Sequence, residues 1–315
     1  MADILTVTLN PALDISSTVP KVVPEDKLRC SEPVLDAGGG GINVARAIGA
    51  LGGEAKALVA LAGHRGKHFL DLLADEPLTP LPFWTDGETR QSFAVTSQQT
   101  HEQFRFITPG PRWNPEQAEA MLDAIENATT KGAYVVLSGS QPPGVPRHFP
   151  TQLAARIEDC AAKLILDTSG APLRALLGTG VATQHVLRLD GAESEALAGR
   201  KLTSHEAVAD FAQGLIARGI AEVVVLARGA DGSILTTADG RWHAHTETVP
   251  VRSKVGAGDS FVGSFTHARN SGADWPEALV QGVAAASAAV MTDATELCAK
   301  ADVERLAASA TLHNV

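Results

Sequence analysis

The sequence predicts an α/β protein built on a doubly wound parallel sheet flanked by helices. Three observations carry this. Short, continuously apolar runs recur at Ala57–Leu61, Tyr134–Leu137, Lys163–Leu166 and Glu222–Leu226. Helical patterns separate them, and strands that are apolar on every residue belong to sheets covered on both faces. Glycine-rich turns, finally, sit where such folds pass from strand to helix.

The elements follow in order. Ile4–Leu9 is β-branched and ends at Asn10-Pro11, a strand closed by a turn. Val19–Val34 carries Pro20, Pro24 and Pro33 with charges between them and reads as edge strands of a small sheet. Gly38–Gly41 opens a helix in which Ile42, Ala45, Ile48 and Leu51 recur every third residue, and Gly52-Gly53 stops it. Leu81–Ile107 alternates and reads as two or three further strands, which with the extended segment near 18–34 are read as one small lid. Pro115–Ala128 is a helix capped by Asn114, and His205–Arg218 is another. Ile234–His243 is a hairpin turned at Asp239-Gly240, and the chain is mostly helical from Gly258 onward.

The length of 315 residues suits two domains or one large α/β domain. With no linker and no repeat, the expectation is a single domain over 1–315. Lid strands are inserted in it at about 16–36 and 88–108.

Acidic residues exceed basic ones by 36 to 26, a net charge of −10. That disfavours nucleic acid or an anionic membrane as partner. The longest nearly apolar stretch, Ala278–Met291, is too short to span a bilayer, and the N-terminus has no basic or apolar leader pattern. Cys30, Cys160 and Cys298 are sparse and unpaired in spacing, which suits reduced cytoplasmic thiols and no zinc site.

The strongest chemical signal is Val255-Gly256-Ala257-Gly258-Asp259-Ser260-Phe261. Its glycines let backbone approach a ligand, and the N–H groups at the helix start form an anion site. Asp259 there could accept a proton from a hydroxyl. The competing reading is a plain helix start with Asp259 as the cap. A second signal is Asp36 to Arg46, with four glycines before the helix and Asn43 able to bond a polyol; the competing reading is a flexible turn. The spacing is neither a dinucleotide fingerprint nor a GxxxxGK[ST] loop. Asp14 follows the first strand. Lys27 and Arg29 would share one strand face, with Arg90 and Arg105 in the later extended segments. Each cation, taken singly, reads as a solvated surface charge rather than a ligand.

Together these motifs resemble the ribokinase-like, or PfkB, carbohydrate kinases over essentially the whole chain. The glycine motif at 38–46 and Gly256–Asp259 stand in the family's order. Glu25–Cys30, Glu102–Phe106 and Ser138–Gly144 are most similar to the branch that phosphorylates fructose 6-phosphate. The resemblance implies a ribokinase-like doubly wound sheet with a small β-sheet lid that forms a homodimer. It implies transfer of the γ-phosphoryl of magnesium-ATP to the C1 hydroxyl of fructose 6-phosphate. Asp259 would be the base, with Gly256, Ala257 and Gly258 as the anion hole. Asp14, Gly39 and Asn43 would meet the sugar. Lys27, Arg90, Arg105 and Ser140 would surround its phosphate, with Arg29 reaching across the dimer.

The family's N-x-x-E magnesium motif falls on Asp190-Gly-Ala-Glu193, and its K-P-N on Arg188-Leu-Asp190. The nucleotide loop falls on Ala227, Gly229 and Gly232. The family's usual Thr before the second signature is Lys254, and its late Asn and Gly are Thr292 and Ala294. These departures cluster in the nucleotide half, so the donor site is expected to be altered in affinity or in nucleotide identity. Gly40 stands where fructose 1-phosphate kinases carry Lys, which favours the 6-phosphate. Tagatose 6-phosphate or fructose 1-phosphate as acceptor, and a sensor with a degraded nucleotide site, stay open as alternatives. A dinucleotide oxidoreductase lacks its fingerprint.

Overall fold

The apolar runs spaced between helical segments all enter one sheet. The computed structural model describes residues 2–178, 182–293 and 296–315. Its first part runs β1 (Ile4–Thr8), β2 (Ala12–Val19), β3 (Val34–Gly38), α1 (Gly40–Ala50), β4 (Lys56–Ala62), α2 (Gly63–Leu72), β5 (Thr79–Thr85), β6 (Arg90–Ser97) and β7 (Gln103–Ile107). The middle runs α3 (Pro115–Ala128), β8 (Tyr134–Ser138), α4 (Phe149–Ile157), β9 (Lys163–Asp167), α5 (Gly170–Ala175), β10 (Gln184–Leu189), α6 (Gly191–Ala198), α7 (His205–Ala217) and β11 (Ala221–Ala227). The last part is β12 (Ser233–Thr236), β13 (Arg241–His245), α8 (Ala257–Asn270), α9 (Trp275–Ala289), α10 (Lys300–Ala308) and β14 (Thr311–Asn314).

The large sheet has the order β14-β13-β12-β11-β10-β9-β8-β1-β4-β5. From β5 to β11 neighbouring strands are parallel, and β12 to β14 close one side antiparallel. Successive residues of a strand point to opposite faces, and here both faces are buried. Val135 and Leu137 enter a core with Met121 and Ile125 of α3, Phe149 and Leu153 of α4, and Ala212 of α7. Tyr134 and Val136 enter a second core with Ile42 and Ile48 of α1, Phe261 and Phe265 of α8, and Leu279 of α9. Continuous apolar strands are thus explained by two cores, one on each side.

A separate sheet has the order β3-β2-β6-β7. It differs from the sequence expectation in three ways. Its first two strands, β2 and β3, start at Ala12 and end at Gly38, and residues 20–33 between them form no strand. The prolines and charges there leave no ladder to build. Lys27 and Arg29 therefore lie in an exposed loop, and the shared strand face expected for them does not exist. Finally, β5, read from sequence with the small sheet, pairs with β4 at the edge of the large one. Its Pro80 and Pro82 are tolerated because an edge strand needs donors on one side only. Strand β14, an exposed edge strand after the last helix, has no counterpart in the sequence reading.

Helices α1 and α8 cross at Gly263. A Cβ on that residue would stand 2.7 Å from Ala47 Cβ and 2.9 Å from the Val44 carbonyl oxygen. The lack of a side chain is what lets the two helices meet this closely. Thr8 Oγ1, at the end of β1, accepts from Ile42 N at 3.1 Å and ties the start of α1 to the sheet. Replacing Gly263 by Val should overpack the contact and cost about 1–3 kcal/mol, seen as a lower urea midpoint with reduced turnover. An unchanged midpoint would show that the helices part freely.

Candidate active site

The loops at the carboxyl ends of β1, β8, β9, β10 and β11 converge with the starts of α1 and α8, the place where open α/β sheets bind ligands. Helix α8 begins at Gly256, whose φ of 76° is left-handed and suits glycine. No side chain caps this helix. Ser260 N is the first to bond back, to Gly256 O at 2.8 Å. The N–H groups of Ala257, Gly258 and Asp259 are left for a ligand. The reading of Asp259 as the helix cap is therefore wrong: Gly256 holds that position, and Asp259 lies inside the first turn.

The Asp259 carboxylate accepts from Asn43 Nδ2 at 2.9 Å. Around it stand Asp167 at the end of β9, Arg188 on β10 and Ser138 at the end of β8. Arg188 pairs with Asp167 at 3.2 Å, and Ser138 Oγ bonds Asp167 Oδ2 at 3.3 Å. Burial, and secondarily the Asp167 charge, push the Asp259 pKa up to about 7, against the bonds from Asn43 and Ser138 and the charge of Arg188. A base with a pKa near neutrality suits proton abstraction from a hydroxyl. The Arg188 guanidinium also lies over α8: a Cβ on Gly258 would be 3.2 Å from both Nη1 and Nη2.

On one side of this turn is a cavity of about 750 Å³. Arg188, Asp190, Ala227, Gly229, Gly232, Lys254, Ala257 and Gly258 line it, with an apolar wall of Val249, Val251, Val283 and Val290. Five of the six residues expected at the nucleotide are thus brought together. Thr292 is not. Its Oγ1 lies 2.8 Å from the Ala289 carbonyl and 2.7 Å from that of Glu296, so it serves its own loop. Ala294 lies outside the described residues. Asp190 and Glu193 form a capping box on α6: Asp190 Oδ1 accepts from Glu193 N at 2.8 Å, and Glu193 Oε2 from Asp190 N at 2.9 Å. Each carboxylate spends one oxygen on the helix start and keeps one. Burial raises the Glu193 pKa, with the Asp190 charge adding to it.

On the other side, Asp14 on β2 is bonded by Ser92 and faces Arg90 and Arg105. Burial raises its pKa, and those three partners oppose the rise. Arg90 Nε donates to Asn10 O at 3.1 Å, and Asn10 Nδ2 donates to Ser140 Oγ at 3.0 Å. Asp14, Arg90, Arg105 and Ser140 thus form one cluster, with Asn10 joining its parts. Gly39 caps α1 beside it. Lys27 and Arg29 do not join: both are exposed and neither makes an ion pair among the described residues. Asp167, Asn10 and Arg46 were missed by sequence reasoning as site residues. For Asp167 a signal was present, an acid at the end of a core strand.

An open helix N-terminus beside a carboxyl of near-neutral pKa, with cations on one side and a nucleotide-sized cavity on the other, suits a phosphoryl-transferring enzyme acting on an alcohol. The chain belongs to the pfkB family of carbohydrate kinases, whose model matches residues 6–302. It is 37% identical over 306 residues to the ATP-dependent 6-phosphofructokinase isozyme 2 of Escherichia coli, covering 97% of this chain and 98% of that one. It is 33% identical over 299 residues to the 1-phosphofructokinase of Xanthomonas campestris, covering 94% and 87%. The crystal structure of phosphofructokinase-2 from Escherichia coli in complex with fructose-6-phosphate superposes with a TM-score of 0.90 at 36% identity, covering 98% of this chain and 99% of that one. A ribokinase from Thermotoga maritima shares the fold, at TM-score 0.76 and 20% identity over 97% of this chain and 99% of that one. The ribokinase-like architecture and the carbohydrate-kinase class expected from the motifs are therefore established.

Asp259→Asn should lower kcat at least about 10²-fold, the low end for a general base. The same change should raise the thermal midpoint at pH 8. The folded carboxyl titrates near 7 and the unfolded one near 3.8, so its buried charge destabilises the fold fully above pH 7. That penalty shrinks as pH falls toward 4. A gap between the two melting curves that narrows from pH 8 to pH 4 checks the sign.

Proposed function

We propose that this carbohydrate kinase is an ATP-dependent 6-phosphofructokinase, transferring the γ-phosphoryl of magnesium-ATP to the C1 hydroxyl of fructose 6-phosphate. The observation that carries the reading is the placement of Asp259 between two anion-binding arrangements of different kind. The Arg90–Arg105 cluster suits the fixed phosphate of a sugar phosphate, because guanidinium meets phosphate in a forked, charge-assisted geometry. The open start of α8 suits a phosphoryl group in transfer.

In this reading Asp14 and Asn43 meet the sugar hydroxyls, and Asp259 takes the C1 proton as the oxygen attacks in line. The N–H groups of Ala257, Gly258 and Asp259 hold the developing charge, and positioning supplies most of the rate. The free oxygens of Asp190 and Glu193 are the hard donors magnesium takes. Among the described residues no group of three or more acidic, His or Cys side chains gathers into a metal site. The remaining ligands would come from water and donor phosphates, as is usual for this ion. When bound, the ion neutralises charge on those phosphates.

The 6-phosphate is favoured over the 1-phosphate by Gly40. A Cβ there would stand 2.4 Å from Ser138 Oγ and 2.9 Å from Gly139 N, so this backbone has no place for the lysine of the alternative motif. A sensor would need neither the uncapped α8 nor a base. In the donor half, Lys254 lines the cavity without an ion pair among the described residues. With Arg188 it offsets the extra charge of Asp190, so the altered half is read as a working donor site of changed selectivity.

The small sheet is read as a lid. Phe93 and Phe106, 36% and 60% exposed, pair across β6 and β7 on the face turned away from Asp14. Such a face is apolar enough to bury against a second copy, giving a homodimer with Arg29 near the contact and Lys27 closing on the sugar phosphate. No helix among the described residues is long and apolar enough to cross a membrane, and we place the enzyme in the cytoplasm.

The decisive assay is ADP release with fructose 6-phosphate, fructose 1-phosphate, tagatose 6-phosphate, free hexoses and nucleosides, repeated with GTP as donor. Turnover on a free hexose or nucleoside above that on fructose 6-phosphate would overturn the assignment. Arg105→Ala should raise KM for fructose 6-phosphate at least about ten-fold, the loss of one charge-assisted contact, and leave KM for the donor in place. Equal effects on both substrates would move Arg105 out of the acceptor site.

A further inference from the structure

Asn43 lies between two groups of opposite hydrogen-bonding character. Its Nδ2 donates to Asp259 Oδ2 at 2.9 Å, and its Oδ1 accepts from Arg46 Nη1 at 3.2 Å. A guanidinium can only donate and a carboxylate can only accept. The amide between them therefore has one permitted orientation while Asp259 is ionised. Arg46 is itself fixed at two further points. Its Nη1 donates to the carbonyl of Ala37 on β3 at 2.7 Å, and its Nη2 pairs with Glu76 Oε1 at 2.9 Å. Both partners of the ion pair are largely shielded, with side chains 15% and 27% exposed. Arg46 touches neither Asp259 nor the cavity.

We propose that Arg46 is a positioning residue for phosphoryl transfer: anchored by Glu76, it holds the Asn43 amide so that Asn43 donates to Asp259 and keeps that carboxylate in its proton-accepting form. The same guanidinium ties β3 of the small sheet to the base. Ala37 adjoins Asp36, which registers opposite Asp14, so the sheet beneath the sugar and the base above it share one anchor. The other groups facing Asp259 are Asp167 from β9, Arg188 from β10 and Ser138 from β8. None of them contacts Arg46, so a change at Arg46 reaches the base through Asn43.

The inference rests on Asp259 being the base, and its test separates the two. The full chain is compared with Arg46→Met, Arg46→Lys and Glu76→Gln. The Asp259 carboxyl is titrated by ¹³C NMR without substrates, and kcat and both KM values are taken across pH. In Arg46→Met the Asp259 midpoint and the acidic limb of kcat should both move up by about one pH unit, the loss of one hydrogen bond to a charged group. Turnover at pH 7 should fall about ten-fold while the donor KM stays within about two-fold. Arg46→Lys, which keeps a donor, should return the midpoint toward its original value. Glu76→Gln should shift it upward by less than Arg46→Met. An Asp259 midpoint unmoved in Arg46→Met overturns the proposal even if activity falls, since a merely structural loss leaves that midpoint in place. Should Arg46→Met fail to fold, an Asp259 midpoint unmoved in Glu76→Gln overturns it. An NMR shift together with Asp259→Asn that still turns over would instead overturn the role of Asp259 and leave the positioning intact.

Discussion

The close crossing of α1 and α8 is the constraint on which the site depends. The two helices come from opposite ends of the chain: Asn43 and Asp259 are 216 residues apart and bond at 2.9 Å. Everything chemical is referred to that contact. The open N-terminus of α8 faces the cavity on one side, and the α1 glycine turn meets the Asp14 cluster on the other. Packing sets the distance, because Phe261 and Phe265 of α8 and Ile42 and Ile48 of α1 share one core over the sheet. A polar pair this precise can persist only where the helices carrying it are held by a close-packed interior.

The electrostatics are local. A chain of net charge −10 holds anions by spending its cations in a few places. Arg90 and Arg105 face a half-buried acid, Asp14. Arg188 is held between Asp167 and the first turn of α8. Several carboxylates nearby are already committed: Asp190 and Glu193 to a helix cap, Asp259 to Asn43. Burying the charge of Asp259 costs stability, and a carboxyl held near neutrality is what the proposed proton abstraction would use.

Much of the architecture was legible because its signals are local or periodic. The apolar runs, the helix with Asn114 as cap and the hairpin at Asp239-Gly240 all stand in the structure. The misreadings have physical causes. Residues 20–33 look extended because prolines and charges exclude helix, yet a strand also needs a continuous ladder, and the bonds made there, such as Ser31 N to Thr18 O at 2.9 Å, do not build one. Strand β5 was grouped with the small sheet because an edge strand carries prolines and exposed residues like any peripheral one. Thr292, expected at the nucleotide by its position in a motif, is a separate case: it is not among the residues that line the cavity, and its hydroxyl bonds within its own loop. Arg46 was visible in the glycine motif, but Glu76, thirty residues further on, gives it meaning.

By itself the amino-acid sequence determined the strand–helix alternation, the two glycine signatures and the identity of the acid at the start of α8. These depend on periodicity and on backbone freedom at short range. Only the tertiary structure decided which charges meet: that Asp167 and Arg188 flank Asp259, that Asn10 links Arg90 to Ser140, and that Lys27 and Arg29 stand apart. Burial and the direction of a hydrogen bond depend on groups brought together from distant strands. The affinity of a carboxylate for its proton is set by that company and not by its neighbours in the chain.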